Sequence, residues 1–183
     1  METNEPPIIS LVSVVQTTVQ TVTDDQAQIL VGIFFNTPHL AFLRQGFHDP
    51  SFESEGLQTQ PRFLQIAICS RSALYLPASD VLQHFNGEQP AVLSSRLADI
   101  AQRLSMESSF QPTVKKIQAN LYMGLRELLS GVGSDAWMHA GLAIRMTQAL
   151  LLGKEYHQRH PFREREIRRR TMWTCFILDR LVS

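Results

Sequence analysis

PTVKKIQANLYMGLRELLSG, residues 112–131, decides the fold. Val114, Ile117, Leu121, Leu125 and Leu128 recur at steps of three and four, the spacing that lines up side chains on one face of an α-helix. Pro112 stands at a first-turn position, where its missing N–H costs no hydrogen bond. Gly131 can take the left-handed conformation that closes a helix. No other stripe in the chain is as clear, and its period extends in both directions.

Downstream, Ser134 or Asp135 starts a helix through about Leu152, and a last helix runs from about Phe162 to the end. Upstream, Pro90 opens a helix with Leu93, Leu97, Ile100 and Leu104 on one face. Before it, a helix from Pro61 carries Phe63, Ile66, Ala67, Ser70 and Leu74, and Pro77 ends it. Asp24 or Asp25 caps a further helix, with Ile29, Leu30, Ile33 and Phe34 on its face and Pro38 interrupting it. A short helical turn follows over Leu40–Leu43, then a loop with Gly46, Pro50 and Gly56. Strict alternation of apolar and polar residues is absent after residue 24. The fold class is all-α, with helices joined by short loops and packed antiparallel. Residues 8–23 are rich in Val, Ile and Thr without helical spacing, and read either as a short strand or as loosely ordered. The expected organisation is a poorly ordered lead-in over 1–23 and one helical domain over 24–183. In the 134–152 helix, Ala136, Ala140, Gly141 and Ala143 form a seam of small residues flanked by Trp137 and Ile144, suited to a close helix–helix approach.

Composition narrows the class. The chain has 183 residues, 44% of them hydrophobic and 19% charged, enough for one domain with a real core. Cys69 and Cys175 are its two cysteines, too few for a disulfide scaffold or a self-contained cysteine zinc site. The start METNEPP is acidic and proline-bearing, unlike a secretory or mitochondrial leader, and no apolar run approaches the ~20 residues of a membrane helix. The expectation is a reduced, intracellular, soluble domain. The net charge of zero conceals an asymmetry: residues 1–144 hold 8 basic against 13 acidic residues, and residues 145–183 hold 9 against 4. That pattern fits a nucleic-acid or nuclear-import surface, or two parts of one fold that neutralise each other.

Catalytic motifs do not emerge. Gly131-Val132-Gly133-Ser134-Asp135-Ala136 fits G-x-G-x-x-A, but a dinucleotide site needs a strand before it, and a helical segment stands there. His157 and His160 lie three apart and His139 is alone, which does not make a zinc set. No G-x-S-x-G elbow is present, and neither cysteine has an activating neighbour in sequence. The chain does not read as an enzyme. Its informative segment is EREIRRRTMWTCFILDRLVS, residues 164–183. As a helix it pairs Glu164 with Arg168 and Glu166 with Arg170 at i, i+4, in the favourable order. Arg168-Arg169-Arg170 reads as a salt-bridged face, or as an import patch or phosphate contact. Trp173, Phe176, Ile177 and Leu181 form the apolar stripe expected to pack on the 136–152 helix. Asp179 and Arg180 are expected to anchor that contact as ion pairs, with Arg169 on the solvent side.

AWMHAGLAIR (136–145) and EIRRRTMWTCFILDRLVS (166–183) resemble the middle homology region of fungal zinc binuclear cluster transcription factors. That family has a tryptophan-bearing helix with a G-x-A-I-R core, then E-x-R-R-R-x-W-W and D-R-x-x-S. The matching positions are Trp137, Gly141, Ala143, Ile144 and Arg145, then Glu166, Arg168, Arg169, Arg170, Trp173, Asp179, Arg180 and Ser183. Met172 replaces the first tryptophan of the pair, and Leu150-Leu151-Leu152-Gly153 departs from the family's leucine-glycine-leucine-histidine. PHLAFLRQGFHDPSF and PRFLQIAI are similar to earlier segments, so the likeness runs from Asp24 to Ser183. The resemblance implies an incomplete part of the helical regulatory domain of a nuclear factor acting in RNA polymerase II transcription. DNA binding is then expected from a head with six cysteines and two zinc ions, which this chain cannot build. No metal, cofactor, catalytic or DNA-binding residue is assigned here. The implied partners are a small-molecule effector or a co-regulator protein. The alternative is a helical small-molecule-sensing or protein-interaction module, and polar groups among Arg145, Gln148 and Arg180 lining a pocket would favour the sensor.

Overall fold

Thr23 starts the first helix, α1 (Asp24–Asn36). Its hydroxyl accepts from the Gln26 N–H at 3.3 Å, while the Gln26 side chain accepts from the Thr23 N–H at 3.1 Å. The cap expected on Asp24 or Asp25 thus falls one residue earlier, and both acids sit in the first turn, where the helix dipole favours them. The computed structural model describes residues 22–38, 59–108, 111–154 and 160–183, with seven helices and no strand among them. The lead-in apart from Val22 and Thr23, the turn at Leu40–Leu43 and the loop through Gly46, Pro50 and Gly56 lie outside the described residues.

The other helices are α2 (Arg62–Ala73), α3 (Ala78–His84), α4 (Pro90–Ser108), α5 (Val114–Leu129), α6 (Gly133–Ala149) and α7 (Phe162–Val182). Two of them are central. α2 packs against α1, α4 and α5, and ten of its twelve residues are buried. α5 packs against α2, α6 and α7. Ile117, Leu121 and Tyr122 of α5 are fully enclosed, and the Tyr122 ring meets that of Phe34 of α1 edge to face. α3 has no counterpart in the sequence reading: it is one short helix with a single buried residue, Val81, too little to create a period.

Because α5 is covered on several sides, it buries polar residues outside its apolar stripe. Arg126 donates from Nε to the Ser94 hydroxyl at 2.9 Å, and Ser94 donates to the Ser70 carbonyl at 2.7 Å. One guanidinium thereby ties α5, α4 and α2 together, with Ser95 and Glu127 as further partners. Burial pushes the Glu127 carboxyl up, and Arg126 offsets this only in part because Asp135 and Asp99 add repulsion. Such groups are tolerated in a core because each has a hydrogen-bond partner.

Contacts fix the helix directions on the other side. Gly124 lies beside Ala136 and His139, and Asn120 Oδ1 is 3.0 Å from His139 Nδ1, so α5 and α6 run antiparallel. Gln118 donates to Thr171 and Gly124 abuts Leu178, so α5 and α7 run parallel, with α6 as the return stroke.

Both turns flanking α6 use one geometry. Gly131, at φ 78°, closes α5, as its sequence position predicts: the Val132 N–H bonds the Glu127 carbonyl and the Gly131 N–H that of Leu128. The run Gly131-Val132-Gly133 is therefore a helix–helix connector. α6 starts at Gly133, slightly before Ser134, and ends at Ala149 rather than Leu152. There the same pair of bonds recurs, from Leu152 to Thr147 and from Leu151 to Gln148, but the left-handed position is Leu151 at φ 52°.

Candidate functional site: the elbow between α6 and α7

Pro161 precedes α7, and Glu164 in its first turn pairs with His160 at 3.0 Å rather than with Arg168. Glu166 is the hub of the next turn. Arg169 grips it through two nitrogens at 2.7 and 2.8 Å, and Arg170 donates at 2.6 Å. Those bonds, Arg169 first and then Arg170, hold the Glu166 carboxyl down to about 2. Arg168 points elsewhere and donates to the Leu150 carbonyl at 3.0 Å, closing an orphaned acceptor at the end of α6. Of the two expected i, i+4 pairs, Glu166–Arg170 forms and Glu164–Arg168 does not.

The orientation of α7 corrects the expected stripe. Trp173, Phe176, Ile177 and Leu181 are 50%, 50%, 38% and 57% exposed, so they form the outer face. The buried residues are Thr171, Thr174, Cys175 and Leu178. The reason is the partner: the buried side of α7 faces α5, where Gln118 bonds Thr171 and the side-chain-free Gly124 leaves room for Leu178. Thr174 returns its hydroxyl to the Arg170 carbonyl at 3.0 Å, and Thr171 accepts from Gln118 at 3.3 Å, so both threonines bury without an unpaired group. Trp173 meets Phe176 edge to face at 5.9 Å, and the Arg180 guanidinium lies 5.2 Å over the Phe176 ring.

Asp179 and Arg180 form no ion pair among the described residues; the Asp179 carbonyl accepts from Ser183. Arg169 is solvent-facing, as expected, with its side chain 53% exposed. On α6, Trp137 is exposed, a Cβ added at Gly141 would meet nothing within 4 Å, and Arg145 reaches only Gln148, at 3.4 Å. Gly141 therefore does not belong to the buried seam.

Between the end of α6 and the first three turns of α7 lies a cavity of about 460 Å³. Leu152, Gly153, Lys154 and His160 form one wall, and Phe162, Arg165, Glu166, Arg168, Arg169, Met172 and Trp173 the other. It gathers Glu166, Arg168, Arg169 and Trp173 from the signature, while Arg145, Gln148 and Arg180 are not among its lining residues. The sequence did carry a signal for it: Phe162, Glu166, Arg169 and Trp173 fall on one face of a helix. What the pattern could not supply was the opposite wall, which depends on the left-handed turn at Leu151.

Burial pushes both thiols, Cys69 and Cys175, up to about 12, far from a reactive thiolate. Among the described residues no group of three His, Cys, Asp or Glu converges as metal ligands would, and no helix is long and apolar enough to cross a membrane. His157 lies outside the described residues.

A helical bundle with a cavity framed by Glu166, Arg168, Arg169 and Trp173 is the setting in which the family can be read. The chain matches the fungal specific transcription factor domain over residues 31–183 and belongs to that family. It is 30% identical over 166 residues to an uncharacterised transcriptional regulatory protein of Schizosaccharomyces pombe, covering 87% of this chain and 25% of that protein. A second such protein from the same yeast is 31% identical over 75% of this chain and 15% of its own length. The Zn(2)-C6 fungal-type transcription factor FTF1c of Fusarium oxysporum is 30% identical over 74% of this chain and 16% of its own. The chain thus spans a quarter or less of these relatives. No solved structure matches it. The family and these relatives are transcription regulators, not enzymes.

Proposed function

We propose that residues 24–183 are the regulatory domain of a nuclear factor acting in RNA polymerase II transcription, preceded by a lead-in over 1–23. DNA is contacted through a zinc-cluster head of the kind the relative's name denotes, and the regulatory domain answers to a small-molecule effector or a co-regulator protein. The observation that carries this reading is the family match over 31–183. The arginine run is in keeping with it: Arg169 and Arg170 bond Glu166, and Arg168 donates to a backbone carbonyl, so each makes an intramolecular bond rather than standing as a bare cation.

The test fuses the chain to a heterologous DNA-binding domain in yeast and reads a reporter gene and nuclear fluorescence. Reporter output is expected to depart from that of the DNA-binding domain alone, and to return to it when Leu178→Asp disrupts the core. A folded, soluble fusion with output indistinguishable from the DNA-binding domain alone overturns the reading.

A further inference from the structure

We propose that the α6–α7 cavity binds an elongated organic monoanion, a carboxylate on an apolar body, with the acid held by Arg168 and Lys154 and the body lying along Leu152, Met172 and Trp173. The volume, about 460 Å³, is in the range of small-molecule sites. The shape follows α7: Phe162 and Trp173 are eleven residues apart on one face, roughly 16 Å along the axis.

Charge selects the ligand class. Lys154, Arg165, Arg168 and Arg169 line the cavity against one carboxylate, Glu166, which Arg169 and Arg170 already neutralise. Lys154 and Arg168 are in no ion pair among the described residues. Arg168 is fixed by its bond to the Leu150 carbonyl, so its remaining N–H groups meet an anion with little rotamer entropy left to lose. The rest of the surface is apolar: Leu152 is buried, Met172 is half-buried and the Trp173 indole is half-exposed. Gly153 keeps the walls together, since a Cβ there would lie 3.3 Å from Met172 Sδ. A bare inorganic anion would leave the apolar wall unused, and a neutral apolar molecule would leave two cations unmatched.

Use of such a ligand as an effector rests on the regulatory reading; its binding does not, and the experiment reads binding alone. In the full chain, Trp137→Phe leaves Trp173 as the single indole. Its fluorescence is followed during titration with 4-phenylbutyrate, with the neutral 4-phenylbutyramide, and with inorganic sulfate. The carboxylate is expected to saturate at millimolar concentration, with the amide and sulfate each about tenfold weaker or worse. Lys154→Gln and Arg168→Gln are each expected to weaken the carboxylate by about three- to tenfold and to leave the amide unchanged. Lys154 is exposed, so its variant remains informative if Arg168→Gln fails to fold. Equal binding of acid and amide, sulfate binding as tightly as the acid, absence of saturation by the acid, or an unchanged affinity in Lys154→Gln each overturns the proposal, whatever the reporter fusion shows.

Discussion

Trp173 and Leu178 sit on opposite sides of one helix, and their substitutions separate cleanly. Leu178 is 1% exposed and touches the Cβ position of Gly124 at 3.1 Å, so Leu178→Ala should cost about 2–5 kcal/mol. Trp173 keeps half its surface in water, so Trp173→Ala should cost less than about 1.5 kcal/mol. Urea unfolding of the two variants beside wild type measures the difference, and a larger loss for Trp173 would mean that α7 is turned the other way. His139 gives a second residue-scale test. Burial pulls its imidazole below the ordinary 6.5, outweighing the attraction of Asp135, and Arg126 pulls the same way as burial. A base with a lowered folded value contributes stability that is present above pH 6.5 and lost as pH falls through the folded value. Thermal midpoints measured from pH 7.5 downward should therefore decline below about pH 6.5 in wild type. In His139→Gln the decline should be shallower; an equal slope would assign it to other groups.

At the scale of the element, the two caps around α6 make a natural experiment. Gly131 and Leu151 occupy the same left-handed position in the same bonding pattern, yet a leucine there is strained and a glycine is not. Leu151 is 42% exposed and gives up little packing, so Leu151→Gly should raise stability by up to about 1 kcal/mol, read as an upward shift of the urea midpoint. A loss would show that the leucine side chain holds the elbow. The helices themselves were legible where an apolar stripe met a proline or glycine boundary, as at Pro90, Pro112 and Gly131. The rotation of α7 was not. Trp173, Phe176, Ile177 and Leu181 outweigh Thr171, Thr174 and Cys175 in hydrophobicity, and a stripe criterion has no term for a hydrogen bond from Gln118 to Thr171 or for the room Gly124 leaves beside Leu178. Buried Arg126, Gln118 and Asn120 were equally invisible, because their partners Ser94, Thr171 and His139 come from other helices. The elbow was half legible: its α7 face is written in the spacing, its facing wall only in a backbone turn.

For the whole molecule, the arginine run of the basic part is tied to its own neighbourhood, with Arg169 and Arg170 on Glu166 and Arg168 on the Leu150 carbonyl. The chain should therefore show no preference for one duplex sequence over scrambled DNA at about 150 mM salt, the condition that separates specific from non-specific attachment. Fluorescence anisotropy checks this, and a salt-resistant preference would sink it. The parallel course of α5 and α7 has a further consequence, for the order in which the chain is made. Gln118 finds its partner Thr171 only 53 residues later, which at 5–20 residues per second is roughly 3 to 10 s of synthesis. During that interval a nascent chain carries a central helix whose α7 flank is uncovered.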